Sequence, residues 1–141
     1  MRTQQVLDQS SRALEAGDFV LYRRGKDIPC VLIHDTHTEV LDTEAAARRN
    51  FDKLAGLLAA KPGQTLVRTV LHEQAIGGAL IQSLVRSHVE CNGEAIIDPF
   101  QSFITYRLVG SNWRAMMVVC PVSSRWASYA SLPGMEGDAV W

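Results

Sequence analysis

TLVRTVLHEQAI (65–76), ALIQSLVRSHVEC (79–91), EAIIDPFQSFITYRLV (94–109) and WRAMMVVCPVSS (113–124) are the segments that decide the fold. Each is rich in β-branched and aromatic residues, and together they read as one antiparallel meander. The breaks between them are Gly77-Gly78, Asn92-Gly93 and Gly110-Ser111-Asn112. Asn-Gly between two alternating runs is a strong hairpin signal, because a type I′ turn needs positive φ at both central positions. Strands of this length exceed the usual five or six residues by roughly twofold. They must twist and curl, and a curled sheet needs a filling for its concave side.

The first 63 residues can supply that filling. Val6, Leu7, Ala13 and Leu14 form a helical stripe that Gly17 can end. Asp18 can cap a second short helix, DFVLYRR, with Phe19, Leu21 and Tyr22 as its apolar side. IPCVLIHD (28–35) reads as a short strand, and THTEVLDT after it as a hairpin return or an irregular loop. Thr43 is an N-cap for EAAARRNFDKLAGLLAA, whose Ala47, Phe51, Leu54, Leu57 and Leu58 recur at helical spacing. Helices first and a meander second predict an α+β domain over residues 1–124, with residues 125–141 a loosely ordered tail.

Composition narrows the function classes. The chain has 141 residues, 47% hydrophobic and 21% charged, with a net charge of −1. That describes one globular domain without a basic footprint for nucleic acid. No apolar run is long enough for a membrane helix, and the N-terminus lacks the apolar centre of a secretory signal. Cys30, Cys91 and Cys120 are odd in number and widely spaced, as expected of buried thiols in a reducing cytoplasm. There is no G-x-S-x-G, P-loop, H-E-x-x-H or dinucleotide fingerprint, which weighs against the enzyme classes that use them.

The order ALEAGDF (13–19), a strand with polar residues at its end, a helix opening TEAAARRNF, and a last strand beginning G-x-x-W-R resembles the nuclear transport factor 2-like superfamily. That group includes ketosteroid isomerases and polyketide cyclases, and the resemblance covers residues 3–124. It implies a cone: a curved sheet wrapped around the long helix, with an apolar pocket at one end and frequent dimers through the convex face. By the spacing of the isomerases, the catalytic base falls near His34 or Asp35. The two oxyanion donors fall near Ser10 and Ser102, and aliphatic hydroxyls are weak substitutes for a phenol or a neutral carboxylic acid. Steroid isomerisation is therefore not expected.

His34, Asp35 and Asp98 are the candidate acid–base residues. Asp98 is either a buried base or an acceptor of backbone N–H groups beside Pro99. Tyr22, Phe51, Arg68, Phe100, Ser102, Tyr106 and Trp113 are the candidate ligand contacts, Arg68 for a carboxylate in particular. Phe51, Leu54, Phe100 and Tyr106 either fill the cavity or border it. His34-Asp35-Thr36-His37 has the look of half a metal site, but loop polarity explains it better and no metal or organic cofactor is expected. A two-residue turn at Asn92-Gly93 places Val89 opposite Ile96 and Ser87 opposite Asp98, which puts Asp98 inward. A bulge at Pro99 would instead swap the faces. Neither set of side chains on the last strand is polar, so a homodimer through the convex side is expected. Two functions stay open. One is an apolar-ligand pocket with cofactor-independent proton transfer by His34, partnered by Asp98 or Asp35; the other is a non-catalytic carrier or dimerising module.

Overall fold

The computed structural model describes residues 2–120; the tail expected over 125–141 lies outside them. Three helices, α1 (Arg2–Ala16), α2 (Phe19–Arg24) and α3 (Glu44–Ala59), pack on one face of six strands. The strands are β1 (Lys26–Ile33), β2 (Thr38–Leu41), β3 (Gln64–Ile76), β4 (Leu80–Cys91), β5 (Glu94–Val109) and β6 (Asn112–Val119). They form a single mixed sheet in the order β2-β1-β6-β5-β4-β3. The N-terminal strand is thus a hairpin, β1 with β2, and β1 joins the meander by running parallel to β6.

Local chemistry sets most boundaries. Asp18 accepts from the Leu21 N–H at 3.1 Å, and Thr43 accepts from the Ala46 N–H at 3.0 Å, each satisfying an orphan donor of its helix. The last carbonyls of α3 are met by the Gln64 amide, which donates to Leu57 and Leu58 at 3.1 Å. At the β4–β5 turn Asn92 has φ 54° and Gly93 φ 85°, the signs that a type I′ turn requires.

Docking of α1 is polar as well as apolar. The Glu73 carboxylate on β3 accepts from the Thr3 N–H at 2.8 Å and from the Thr3 hydroxyl at 2.7 Å, capping the helix start. Partial burial works against this charge, yet the Thr3 bonds hold the Glu73 carboxyl below its ordinary range. Farther along, Gln4 accepts from the Val70 N–H at 2.7 Å and Glu15 from the Leu66 N–H at 3.3 Å. These are backbone groups on the outer side of the edge strand β3, so α1 serves as its cover.

The strand register departs from simple pairing in a way that relocates Asp98. Cys91 faces Glu94 and Glu90 faces Ala95, but Val89 faces Ile97 and Ser87 faces Phe100. Two extra residues therefore enter β5, one on each side of Val89. After the first, Ile97 turns into the core and Ile96 and Asp98 turn outward. After the second, parity is restored, and Phe100 and Ser102 are buried on the concave side with Val85 and Ser87. The inward placement of Asp98 and the opposition of Ser87 to Asp98 are corrected accordingly. On β6 a further shift beside Thr105 lets Ala115 and Val118 both point inward, mixing the two alternating sets.

The concave face and the helices share one core containing Leu7, Leu14, Phe51, Leu54, Val85 and Ile104. The register makes a sharp distinction between neighbours: Ile97 is buried, whereas Ile96 is 37% exposed. Ile97→Ala should cost about 2–5 kcal/mol in urea unfolding and Ile96→Ala under about 1 kcal/mol. Equal costs would contradict the bulged pairing.

Candidate functional site

Curling leaves a small hollow between the sheet and the helices, with a volume of about 40 Å³. Its apolar wall includes Leu7 and Leu14 from α1, Leu54 from α3, and Ile104 and Val118 from the sheet. Its polar wall is Ser10, Tyr22, Lys26, Asn50, Arg68 and Tyr106. Such a volume accepts a few water-sized groups and is far below the roughly 300–1,000 Å³ of a drug-sized site. Most of the concave space is filled by side chains.

Lys26 reaches the hollow because it opens β1 opposite Ala115, held there by the Ala115 N–H bond to the Gly25 carbonyl at 2.7 Å. It is only 8% exposed, with its ammonium 5.1 Å from the Tyr22 ring centre. Burial works against this charge, but Tyr22 and the Cys30 thiol outweigh it and carry the Lys26 pKa above its ordinary value. No carboxylate among the described residues pairs with it.

Arg68, on β3, donates to the Ser11 hydroxyl at 2.9 Å and to the Leu7 carbonyl at 3.3 Å. Burial lowers its pKa, with Tyr106 and Tyr22 opposing, yet a guanidinium keeps its proton. The Tyr106 phenol is pushed up to about 12 by burial, so at neutral pH it is a hydroxyl donor. Asn50, 5% exposed, projects from the apolar stripe of α3, and its side-chain oxygen has no hydrogen-bond partner among the described residues. A buried amide left unsatisfied is costly, so this one stands out.

The candidate residues divide by position. Tyr22, Arg68 and Tyr106 line the hollow. Phe51 lies behind it, its ring centre 5.0 Å from Tyr22 and 5.4 Å from Phe19. Phe100 and Ser102 are buried on the concave face but outside the hollow's wall. Trp113 is half-buried under the Arg2 guanidinium, 5.5 Å away, and lines an outer groove. Asp35 and Asp98 are exposed and stand apart from the hollow.

His34 is buried at the end of the β1 run, its ring stacked 4.4 Å from that of His37. Neither ring nitrogen makes a hydrogen bond of good geometry among the described residues, although the Cys120 backbone is near enough to favour the charged form. Burial prevails and lowers the His34 pKa. Among the described residues no three His, Cys, Asp or Glu side chains come together as a metal site.

Lys26 and Asn50 are the wall residues that sequence reading passed over. Their signals are visible in hindsight. Asn50 stands midway between Ala46 and Leu54 in a stripe repeating every fourth residue, and Lys26 shares the inward parity of Cys30 and Leu32.

A curled sheet, a long helix laid into it and a partly polar hollow between them define a cone-shaped pocket scaffold. No protein-family profile matches the sequence, and no curated protein matches it. Solved structures do. An NTF-2 like protein of unknown function from Shewanella oneidensis superimposes with a TM-score of 0.63 at 15% identity, over 86% of this chain and 99% of the other. A protein of unknown function from Mycobacterium tuberculosis gives 0.71 at 13% identity, over 95% and 83% of the two chains. A candidate ketosteroid isomerase from Shewanella frigidimarina gives 0.62 at 17% identity, over 82% and 90%. The chain therefore has the nuclear transport factor 2-like, ketosteroid isomerase-like fold. Identities this low establish the shape and leave the chemistry to the residues. Among the described residues no helix is long and apolar enough to cross a membrane, which says nothing of spanning by strands.

The His34 shift has a definite sign. Unfolded, the imidazole titrates near 6.5; folded, it titrates lower, so the folded form binds fewer protons as the solution acidifies. Its contribution is complete above about pH 6.5 and is lost as pH falls through the folded value. The stability of wild type should therefore fall more steeply below pH 6.5 than that of His34→Gln, compared by urea unfolding at about pH 7.5 and 5. Parallel pH profiles would show that His34 is not buried in its neutral form.

Proposed function

We propose that this protein binds a small, mostly apolar molecule in the concave hollow and admits it from the groove beside α1. The observation that carries this reading is the partition between the two spaces. The hollow and an outer groove of about 430 Å³ share Val6 and Gly25 as wall residues. At Gly25 a β-carbon would come within 3.3 Å of a Val6 methyl, so the partition is thin and one side of it lacks a side chain. A ligand larger than a few atoms enters by displacing Val6 on α1 and takes its shape from the space so opened.

A second reading adds proton transfer. A buried imidazole whose pKa is lowered by burial is competent as a general base at neutral pH. In that reading His34 is the acid–base group of an isomerase, dehydratase or cyclase type of reaction, and Asp35 or Asp98 its partner. Because none of these lines the hollow, the binding reading is favoured. Beyond the Tyr22, Arg68 and Tyr106 wall, the remaining ligand contacts (Phe51, Phe100, Ser102 and Trp113) would meet a ligand only once the hollow widens.

The convex face supports self-association. Ile33, Val119, Phe103 and Leu84 are register partners in one apolar row across four strands, and Phe103 is 46% exposed. A second copy covering this row would make a homodimer. Buried cysteines outside any disulfide, Cys30 and Cys120, fit a cytoplasmic setting.

Nuclear magnetic resonance titration with a panel of small apolar alcohols, ketones and acids tests the pocket. Shifts should concentrate at Leu14, Ile104 and Val118, and Gly25→Val should weaken binding by roughly tenfold by thickening the partition. Shifts confined to outer surfaces would overturn the proposal. Turnover of a lipophilic enone or hydroxy-ketone, unchanged in His34→Ala, would remove the proton-transfer reading. Sedimentation at micromolar concentration is expected to show a dimer, and a 15.6 kDa species alone would exclude it.

A further inference from the structure

Asn50 stands where an apolar residue would pack better. It falls midway between Ala46 and Leu54 on the buried stripe of α3 and is 5% exposed. Its side-chain oxygen is shut off from solvent and accepts no hydrogen bond from any described residue. Other buried polar side chains have structural tasks: Gln64 ties down the end of α3, and Ser11 joins Leu7 to Arg68. No hydrogen bond among the described residues gives the Asn50 oxygen such a task. Taking an amide oxygen out of water without a partner is costly, and alanine or leucine there would avoid that cost and favour the helix. The nitrogen of the same amide is not stranded in this way. Asn50 also lines an outer groove of about 250 Å³ with Val40, Leu41 and Ala46, so one side of the residue borders an open space. What the amide lacks is a donor for its oxygen.

We propose that Asn50 sets the specificity of the hollow by accepting a hydrogen bond from a neutral hydroxyl on the bound molecule, which is a small alcohol rather than an acid, an amine or a ketone. This rests on the pocket reading above and specifies its ligand class. The other wall groups narrow the choice of donor. Arg68 already acts against the Lys26 charge, so a third cation beside them is disfavoured and an ammonium is a poor fit. A carboxylate or a ketone brings acceptors only and would set one oxygen against another. A hydroxyl donates and accepts at once. Its proton goes to the Asn50 oxygen, while its own oxygen accepts from the Tyr106 phenol, which lines the same space and stays protonated at neutral pH. A volume of about 40 Å³ holds a hydroxyl and its first carbons, and Leu14, Ile104 and Val118 give those carbons an apolar side. A site built to bond a hydroxyl rejects the analogue lacking it, because its buried acceptor is then left unpaired.

The probes 2-pentanol, 2-pentanone and 2-chloropentane are nearly equal in size and differ in the group they offer. In methyl-resolved titrations, 2-pentanol should bind roughly tenfold tighter than 2-pentanone, with shifts at Leu14, Ile104 and Val118. In Asn50→Ala, which removes the amide and enlarges the hollow, that ratio should fall to about one. If that variant does not fold, the wild-type ranking of alcohol and ketone decides alone. Equal or tighter binding of 2-pentanone by wild type, or binding of 2-chloropentane alone, overturns the role of Asn50 and leaves the apolar pocket standing. A preference for 2-pentanol that persists in Asn50→Ala also overturns it, because another group then reads the hydroxyl. Loss of all three probes from a folded Asn50→Ala assigns the residue to the shape of the hollow and overturns its reading of the hydroxyl. Failure of all three probes to bind wild type at millimolar concentration overturns the pocket reading and this inference together.

Discussion

Everything in this molecule depends on the sheet bending, and the bend is produced by mismatched strand lengths. Between the Asn92-Gly93 turn and Ser87, β5 uses two more residues than β4 does. Further irregularities lie between Val70 and His72 on β3 and between Ala115 and Met117 on β6, opposite Tyr106 and Thr105. Each local surplus sharpens the right-handed twist and turns the strand towards its partner's face. The long strands of the meander thereby become a trough instead of a plane. Without the trough, α1 and α3 would rest on one flat surface, and Lys26, Asn50 and Arg68 would have no common space to face.

The helices answer that bend with two kinds of contact. Apolar residues such as Leu14, Phe51 and Leu54 fill most of the trough. Polar groups then fix where each helix lies: Thr3 on Glu73 and Ser83, Gln4 on the β3 backbone, Arg68 on Leu7 and Ser11. Hydrogen bonds contribute modestly each, but a missing partner is expensive, so this set specifies one docking of α1 among the many that apolar packing alone would tolerate. The residual space is where packing gives way to charge. Arg68 is engaged there by Ser11 and Leu7, whereas the Asn50 side-chain oxygen, buried with no hydrogen-bond partner among the described residues, is a poor choice for stability.

How much of this can be read from the sequence follows the range of each interaction. Asp18, Thr43, Gly17 and Asn92-Gly93 act on backbone groups within a few residues, and their effects on helix and hairpin boundaries are legible locally. The parallel pairing of β1 with β6 joins residues near 30 to residues near 118, and no local signal announces it. The bulges are harder still. Pro99 marks that β5 is irregular, but the two extra residues fall on either side of Val89's partner, and parity is lost and regained within a few positions. The wall of the hollow divides in the same way. Aromatic and arginine residues on the inward side of strands, Tyr106 and Arg68 among them, stand out in the sequence. Lys26 opens a strand and Asn50 rides a helix, two places where polar residues are ordinarily solvated, and only the tertiary arrangement turns them inward.

The cover that α1 lays along β3 also shapes how copies of this protein can meet. A long unprotected strand margin invites another chain to extend the sheet by its own backbone, the route by which β-rich proteins zip into fibres. Here the outward amides of Leu66 and Val70 are already occupied by Glu15 and Gln4. The opposite margin is β2, which offers only four residues. Among the described residues, growth by strand addition is thus hindered at both margins of the sheet, and the broad outer surface, where side chains rather than peptide groups set the terms, is the face left open.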